Sequence, residues 1–257
     1  MKPPRANPAG TYSGRNLHGQ VVHELGRRIV GGSCAPGEAL PNEEELCREL
    51  GVSRTALRES VKVLAAKGLV ESRPRIGTRV RASESWNLLD PDVLAWRCAT
   101  LPDPQFVLQL TEMREIIEPA SAGLAARNRT QAQLRHIEDA YAAMAAAPTL
   151  DAFVSADLEY HSAILDATNN PLLRPLVAMI GSALEMLLGL AARRTDNFKI
   201  GLPDHKAVLE AIRTQDGAAA MKRMSSLLAD TRVRLLKPAK AAARKAPATT
   251  ARRAPAR

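Results

Sequence analysis

The sequence predicts a mainly α-helical protein in two parts: a helix-turn-helix of three helices with a small β-hairpin behind it, then an all-α bundle of about six to seven helices. Three observations predict this. Aromatic residues make up only 3% of 257 residues and alanine is abundant, which favours helices over sheets. Two short helical stretches meet at Leu50-Gly51-Val52-Ser53, the spacing of a helix-turn-helix. From Gln105 onward the chain is helical in pattern, broken only by short turn signals.

Element by element, Val21, Leu25 and Ile29 recur every four residues, which predicts a helix over 17–30 that Gly31 and Gly32 end. Pro36-Gly37 marks a turn. Asn42 is a good N-cap for a helix with Glu43, Glu44 and Glu45 in its first turn, and that helix ends at Gly51. Ser53 caps the next helix, SRTALRESVKVLAAKG, which Gly68 closes. Two β-prone pieces flank Arg73-Pro74-Arg75-Ile76-Gly77 and read as a hairpin. Residues 82–104 form a linker with a short helix inside; one reading of Trp86 and Trp96 there is that they only pin it onto the bundle through their large apolar surface. Helix breaks in the second half fall near Arg129-Thr130, Pro148-Thr149, Asn169-Asn170-Pro171, 195–203 and 215–217. The resulting organisation is a basic, disordered 1–15, a DNA-binding unit over 16–81, the linker, a helical unit over 105–236, and a basic low-complexity tail over 237–257.

The charge is uneven. Of the net +9, residues 1–15 carry three cations and no acids, 16–83 a net +3, 84–236 a net −4, and 237–257 seven cations and no acids. A polyanionic partner is therefore expected for the N-terminal part and not for the acidic middle. Cys34, Cys47 and Cys98 are scattered and odd in number, which fits reduced thiols in the cytoplasm and no zinc ribbon. The basic start lacks the apolar run of a signal peptide, and no apolar run approaches the roughly 18 residues of a membrane span.

In the second helix of the helix-turn-helix, Leu57, Val61 and Leu64 should face the core. Arg54, Arg58 and Lys62 form a cationic stripe on another side. Such a stripe, starting beside the helix N-terminus, suits the major groove; taken alone it is equally a solvated face. The hairpin adds Arg73, Arg75 and Arg79 around Gly77, placed to follow the DNA backbone or the minor groove. The stretch LPNEEELCRELGVSRTALRESVKVLAAKGLVESRPRIGTRV resembles the winged-helix domain of GntR-family bacterial transcription regulators. GVSRTALRE, L-x-x-KGLVE and the wing GT-x-V carry the likeness. It implies Arg54, Thr55, Arg58 and the wing around Gly77, with Arg75, as contacts to double-stranded operator DNA, and the stripe adds Lys62. Glu44 departs from the family, which usually has a DNA-contacting arginine there, and a carboxylate repels phosphate.

In the second half, Asp157 and His161 lie four apart in DLEYHSAILDATNN, one turn apart on one helix face. Such a pair could hold a divalent metal, and it is also common on ordinary surfaces. His205 opens another helix. Arg114 could clamp a carboxylate or pair with Glu118 on its own helix. D-x-x-Y-H-x-x-I-L, T-N-N-P, D-H-K-x-V-L-x-A-I and D-G-x-A-A resemble the all-helical FCD ligand-binding domain of the FadR subfamily of GntR regulators. The resemblance implies a metal centre with Asp157, His161 and His205 as ligands. A fourth histidine is expected where this chain has Leu227, so there are three protein ligands at most for Zn²⁺ or a similar ion. It also implies Arg114 and Asn169 as effector contacts, while His136 matches nothing and is read as a surface residue. SWNLLDPDVLAW and IVGGSCAPG are similar to the group that includes galactonate-operon repressors, whose effectors are sugar acids.

The expectation is thus a homodimeric, ligand-responsive repressor without enzymatic activity and without a membrane partner, released from DNA by a small carboxylate, a sugar acid. Rival readings are a relative answering to lactate or a dicarboxylate, a metal-dependent enzyme, and an architectural DNA-binding protein. No glutamate or lysine motif pairs with the ligand set as a general base, which weighs against the enzyme.

Overall fold

A computed structural model of the chain describes residues 17–73, 77–100, 103–192 and 197–236. The disorder expected for 1–15 and 237–257 lies outside the described residues. Helix α1 (Leu17–Val30) packs on α3 (Arg54–Ala66), and α2 (Glu43–Leu50) braces α3 from the other side. Strands β1 (Val70–Arg73) and β2 (Gly77–Val80) pair antiparallel, with Val70 opposite Val80 and Arg73 opposite Gly77. Ala39 bridges to Arg79, so the segment before α2 lies along β2 on the side away from β1. The core of this unit is apolar and tight: Val22, Leu25, Ile29, Leu57, Leu64 and Leu69 are each at most 2% exposed.

The capping chemistry follows the sequence. Asn42 and Glu45 form a reciprocal capping box at the start of α2, with the Asn42 Oδ1 accepting from Glu45 N at 2.9 Å. Ser53 Oγ accepts from Ala56 N at 3.2 Å and opens α3.

The linker holds α4 (Pro91–Ala99), with Asp90 as its N-cap and Pro91 in the first turn. Helix α4 has two buried faces. Val93 and Trp96 enter the core of the DNA-binding unit. Leu94 and Cys98 meet Phe106, Leu110, Met179 and Ala183 of the bundle. Both tryptophans pack on the DNA-binding unit, which corrects the expectation that they pin the linker onto the bundle. Trp96 Nε1 donates to His23 Nδ1 at 2.9 Å, and Trp86 Nε1 donates to the Arg81 carbonyl at 3.1 Å. Gly26 explains how α1 admits the larger ring, since any Cβ there would collide with Trp96. Burial pushes the Cys98 thiol up to about 12, so it stays protonated and unreactive at this junction.

Six helices form the second unit: α5 (Pro104–Asn128), α6 (Gln131–Ala146), α7 (Leu150–Asp166), α8 (Leu176–Ala192), α9 (Leu202–Arg213) and α10 (Gly217–Leu236). Helix α5 packs along α10, α6 along α7, and α9 against α10 and α5. The breaks read from the sequence recur here, and Asn169 and Gln215 turn the corners with φ of 54° and 58°. Among the described residues no helix is long and apolar enough to cross a membrane.

One polar clasp ties the DNA-binding unit to the linker helix. Lys67, at the end of α3, is buried and places Nζ 2.7 Å from both Asp90 oxygens and 2.7 Å from Asp92 Oδ2. Asp90 meanwhile caps α4 through Asp92 N and Val93 N. Removing one partner of such a group leaves a buried charge unpaired. Lys67→Met should therefore lower stability by about 3 kcal/mol in urea unfolding, and adding Asp92→Leu should recover much of that loss. A loss below about 0.5 kcal/mol for the single change, the range of an ordinary surface substitution, would show that water screens the clasp.

Candidate functional site

Two candidate sites stand out, one in each unit. The first is the exposed face of α3. Arg54, Thr55, Arg58 and Lys62 are all exposed there, while Leu57 and Leu64 point inward as their spacing predicts. The face is not bare cation. Arg58 Nε reaches Glu43 Oε2 at 3.0 Å, Lys62 pairs with Glu59 at 2.7 Å, and Glu44 lies 3.9 Å from Arg48. Exposed pairs of this kind contribute about 1 kcal/mol or less, so a phosphate can displace the carboxylates. Gly77 opens β2 with a φ of +92°, a conformation few side chains tolerate, and it is exposed. Arg75, the expected wing contact, lies outside the described residues.

The second site is buried in the bundle. Asp157, Tyr160 and His161 share one face of α7, and His205 enters from the first turns of α9. All four are nearly inaccessible. One donor atom each from Asp157, His161 and His205 lies within 4.8 Å of the others. His205 Nε2 is 2.9 Å and His161 Nε2 3.9 Å from the same Asp157 Oδ1. The opposite ring nitrogens are engaged from behind: His205 Nδ1 lies 2.7 Å from the Gly201 carbonyl, and His161 Nδ1 lies 2.7 Å from Glu118 Oε2. Tyr160 donates its hydroxyl to the His205 carbonyl at 2.8 Å, fixing α9 against α7.

The donor set can be tested against a cation. His205 Nδ1 faces a carbonyl, which only accepts, so that nitrogen carries the proton and Nε2 presents a lone pair. That lone pair meets a carboxylate oxygen at 2.9 Å without a directed hydrogen bond. Two acceptors at this distance need a positive charge between them. One carboxylate and two imidazoles are borderline donors suited to Zn²⁺ and its neighbours, and the remaining positions fall to water or effector oxygens. The residues fit the ion. Leu227, where the family resemblance expects another histidine, is a buried apolar member of the bundle core.

The two expected effector contacts are differently placed. Arg114 is buried and gives Nε to Glu118 Oε1 at 2.5 Å and Nη2 to Glu118 Oε2 at 3.3 Å, so it joins the cluster through Glu118. Asn169 sits at the exposed α7–α8 corner. Its amide donates to the Asn128 carbonyl at 2.7 Å, and its oxygen accepts from Gln133 Nε2 at 2.8 Å. The structure does not bring it to the Asp157 cluster. His136 is exposed and lies 2.8 Å from Glu159.

Glu118 is the group that sequence reasoning left out of the site. Its only signal was the i, i+4 spacing to Arg114, which gave no hint of a contact to α7. Burial pushes its carboxyl up, but the Arg114 guanidinium and then the His161 imidazole outweigh that and hold it at about 2. For Asp157, burial is likewise outweighed, by the neighbouring His205 and His161 rings and the Arg114 guanidinium, and its carboxyl sits below the usual range.

Family comparison agrees with both halves. The family model described as bacterial regulatory proteins of the gntR family matches residues 17–80, and the FCD domain model matches 109–230. The galactonate operon transcriptional repressor of Escherichia coli K12 is 37% identical over 222 residues, covering 86% of this chain and 97% of its own length. LutR, an HTH-type transcriptional regulator of Bacillus subtilis, is 30% identical over 76% of this chain and 90% of its own length. The solved structure of Lar, which controls the expression of the Listeria monocytogenes agr system, shares the fold. Its TM-score is 0.61 at 20% identity, over 87% of this chain and 98% of that one. Reader, linker and helical core together define a transcriptional regulator and not an enzyme. The chain belongs to the GntR family of bacterial regulatory proteins and carries an FCD domain as its C-terminal half.

The held carboxylate has a pH consequence. Its folded value lies below its unfolded one, so its contribution to stability is complete above about pH 4.5 and is lost as pH falls toward 2. In metal-free protein, Glu118→Gln should flatten the stability–pH curve between about pH 4 and 2 relative to the parent. Parallel curves in that window, measured by chemical unfolding, would mean that Glu118 is not held low.

Proposed function

We propose that this regulator represses a sugar-acid catabolic operon, of the galactonate type. In this reading it binds a two-fold operator as a homodimer in the cytoplasm and leaves DNA when the sugar acid enters the helical domain. The observation that carries this reading is the buried Asp157–His161–His205 cluster with its lone-pair conflict, set in the unit that holds the linker helix. Dimerisation follows from the pairing of helix-turn-helix readers with two half-sites one turn of DNA apart. Arg54, Thr55, Arg58 and Lys62 meet the major groove, and Gly77 lets the wing approach the backbone.

Charge supports a monocarboxylate. With neutral imidazoles, Arg114, Glu118 and Asp157 sum to one negative charge. Asp157, His161 and His205 would hold the dication, which supplies a Lewis-acidic anchor for a carboxylate and a hydroxyl. The loaded cluster then carries one positive charge, and a buried site is most stable near neutrality. An aldonate brings one negative charge and hydroxyls that chelate; a dicarboxylate overshoots. The high similarity to a galactonate operon repressor points the same way.

A thermal-shift series tests the reading. Zinc-loaded protein should melt several degrees higher with millimolar D-galactonate or a related aldonate, and chelator or Asp157→Ala should abolish the gain. Absence of any shift across the aldonates, with folded zinc-loaded protein, sinks the sugar-acid assignment. On the DNA side, Arg58→Ala should weaken operator binding by roughly 10- to 100-fold, read by fluorescence anisotropy, and leave the aldonate shift intact. Unchanged operator affinity would remove α3 from the groove.

A further inference from the structure

We infer that Glu118 is a positioning residue for the candidate metal centre: it accepts the Nδ1 proton of His161 and so turns Nε2 of that ring toward Asp157 and His205. The inference rests on the metal reading above and assigns a role to a residue outside its ligand set. Glu118 lies on α5, and the ring it faces lies on α7. Both are buried, with the carboxylate 1% and the imidazole 1% exposed. Glu118 Oε2 is 2.7 Å from His161 Nδ1, and the same carboxylate is held by Arg114 through Nε and Nη2.

The second imidazole shows the same arrangement with a different acceptor. His205 Nδ1 meets the Gly201 carbonyl at 2.7 Å, one turn back on its own helix. Each ring thus has an acceptor oxygen 2.7 Å behind its Nδ1, a hydrogen bond at His205 and a close approach without hydrogen-bond alignment at His161, and each Nε2 faces the same carboxylate oxygen in front. Backing of this kind fixes both the tautomer and the ring plane of a metal-binding histidine and raises its basicity. Had Glu118 served Arg114 alone, an exposed i, i+4 pair on α5 would suffice. Its burial against His161 gives the carboxylate two tasks, and Arg114 becomes the residue that aims it. This also reassigns Arg114: its guanidinium is engaged by Glu118 instead of standing free for an effector carboxylate.

The test uses the full chain, stripped of metal and titrated with Zn²⁺ against a chromogenic chelator. Glu118→Gln keeps an acceptor oxygen but loses the charge. It should bind zinc about 10- to 100-fold more weakly than the parent, with shifted visible bands after Co²⁺ substitution. Zinc affinity within about twofold of the parent and an unchanged cobalt spectrum would overturn the inference while leaving the metal reading standing. A parent that binds no zinc overturns both. A second measurement needs no variant: long-range ¹⁵N–¹H spectra of the zinc-loaded parent should show His161 as the Nδ1–H tautomer. An Nε2–H tautomer there overturns the assignment even if Glu118→Gln fails to fold.

Discussion

Helix α4 belongs to two cores at once, and the relation between the halves of this protein depends on that. A nine-residue helix cannot hold itself in water. It persists because Val93 and Trp96 complete the core of the DNA-binding unit while Leu94 and Cys98 complete a second core with α5 and α8. The Lys67 clasp adds direction to this burial. Apolar contact alone tolerates sliding, whereas an ammonium held by two carboxylates at the first turn of α4 fixes where that helix begins. The reader therefore has little freedom to swing independently of the bundle.

The bundle concentrates its buried charge in one place. Arg114, Glu118, Asp157, His161 and His205 come from three helices and lie within a single connected set of contacts, surrounded by residues such as Tyr160, Val208 and Leu209. Burying an unpaired carboxylate or guanidinium is too costly to survive by chance. Here the charges are paired, but two ring nitrogens lack a directed hydrogen bond: His161 Nδ1 beside Glu118, and His205 Nε2, which faces a carboxylate oxygen across 2.9 Å. Carboxylates and imidazoles converging in an otherwise apolar core are the arrangement that a proton or a divalent metal would satisfy.

Much of this was legible in the sequence because it is local. Periodicity placed the helices, and Asn, Gly and Pro placed their ends, since caps and corners are decided by a few adjacent residues. The Asp157–His161 pair was legible for the same reason, one helical turn being a local relation. His205 was named from its residue type as a further imidazole, and the family resemblance joined it to the pair, because nothing in its own segment says that α9 meets α7. Glu118 escaped notice since its decisive contact crosses between helices. The tryptophans misled because α4 is apolar on two sides, so its pattern does not say which core receives which face; Gly26, the notch that seats Trp96, lies seventy residues upstream. Asn169 was placed by motif, and the motif's conformational use at a left-handed corner accounts for it.

Helix α5 supplies the physical link between the buried cluster and the reader. Phe106, Leu110, Arg114 and Glu118 follow one another at four-residue spacing, one stripe along about 18 Å of helix. The first two pack where α4 docks, and the last two hold the ring of His161. Such a rod transmits displacement without needing to deform, because close-packed interfaces shift as units. In the proposed function, occupying the cluster would change the balance of charge beside Glu118, and a displacement of α5 would reach Leu94 and, through Lys67 and Trp96, α1 and α3. The effect on DNA depends on the ligand binding one position of this rod more tightly than the other. A bound sugar acid releases the operator only if its favoured position of α5 places the two readers of the proposed dimer out of register with successive grooves.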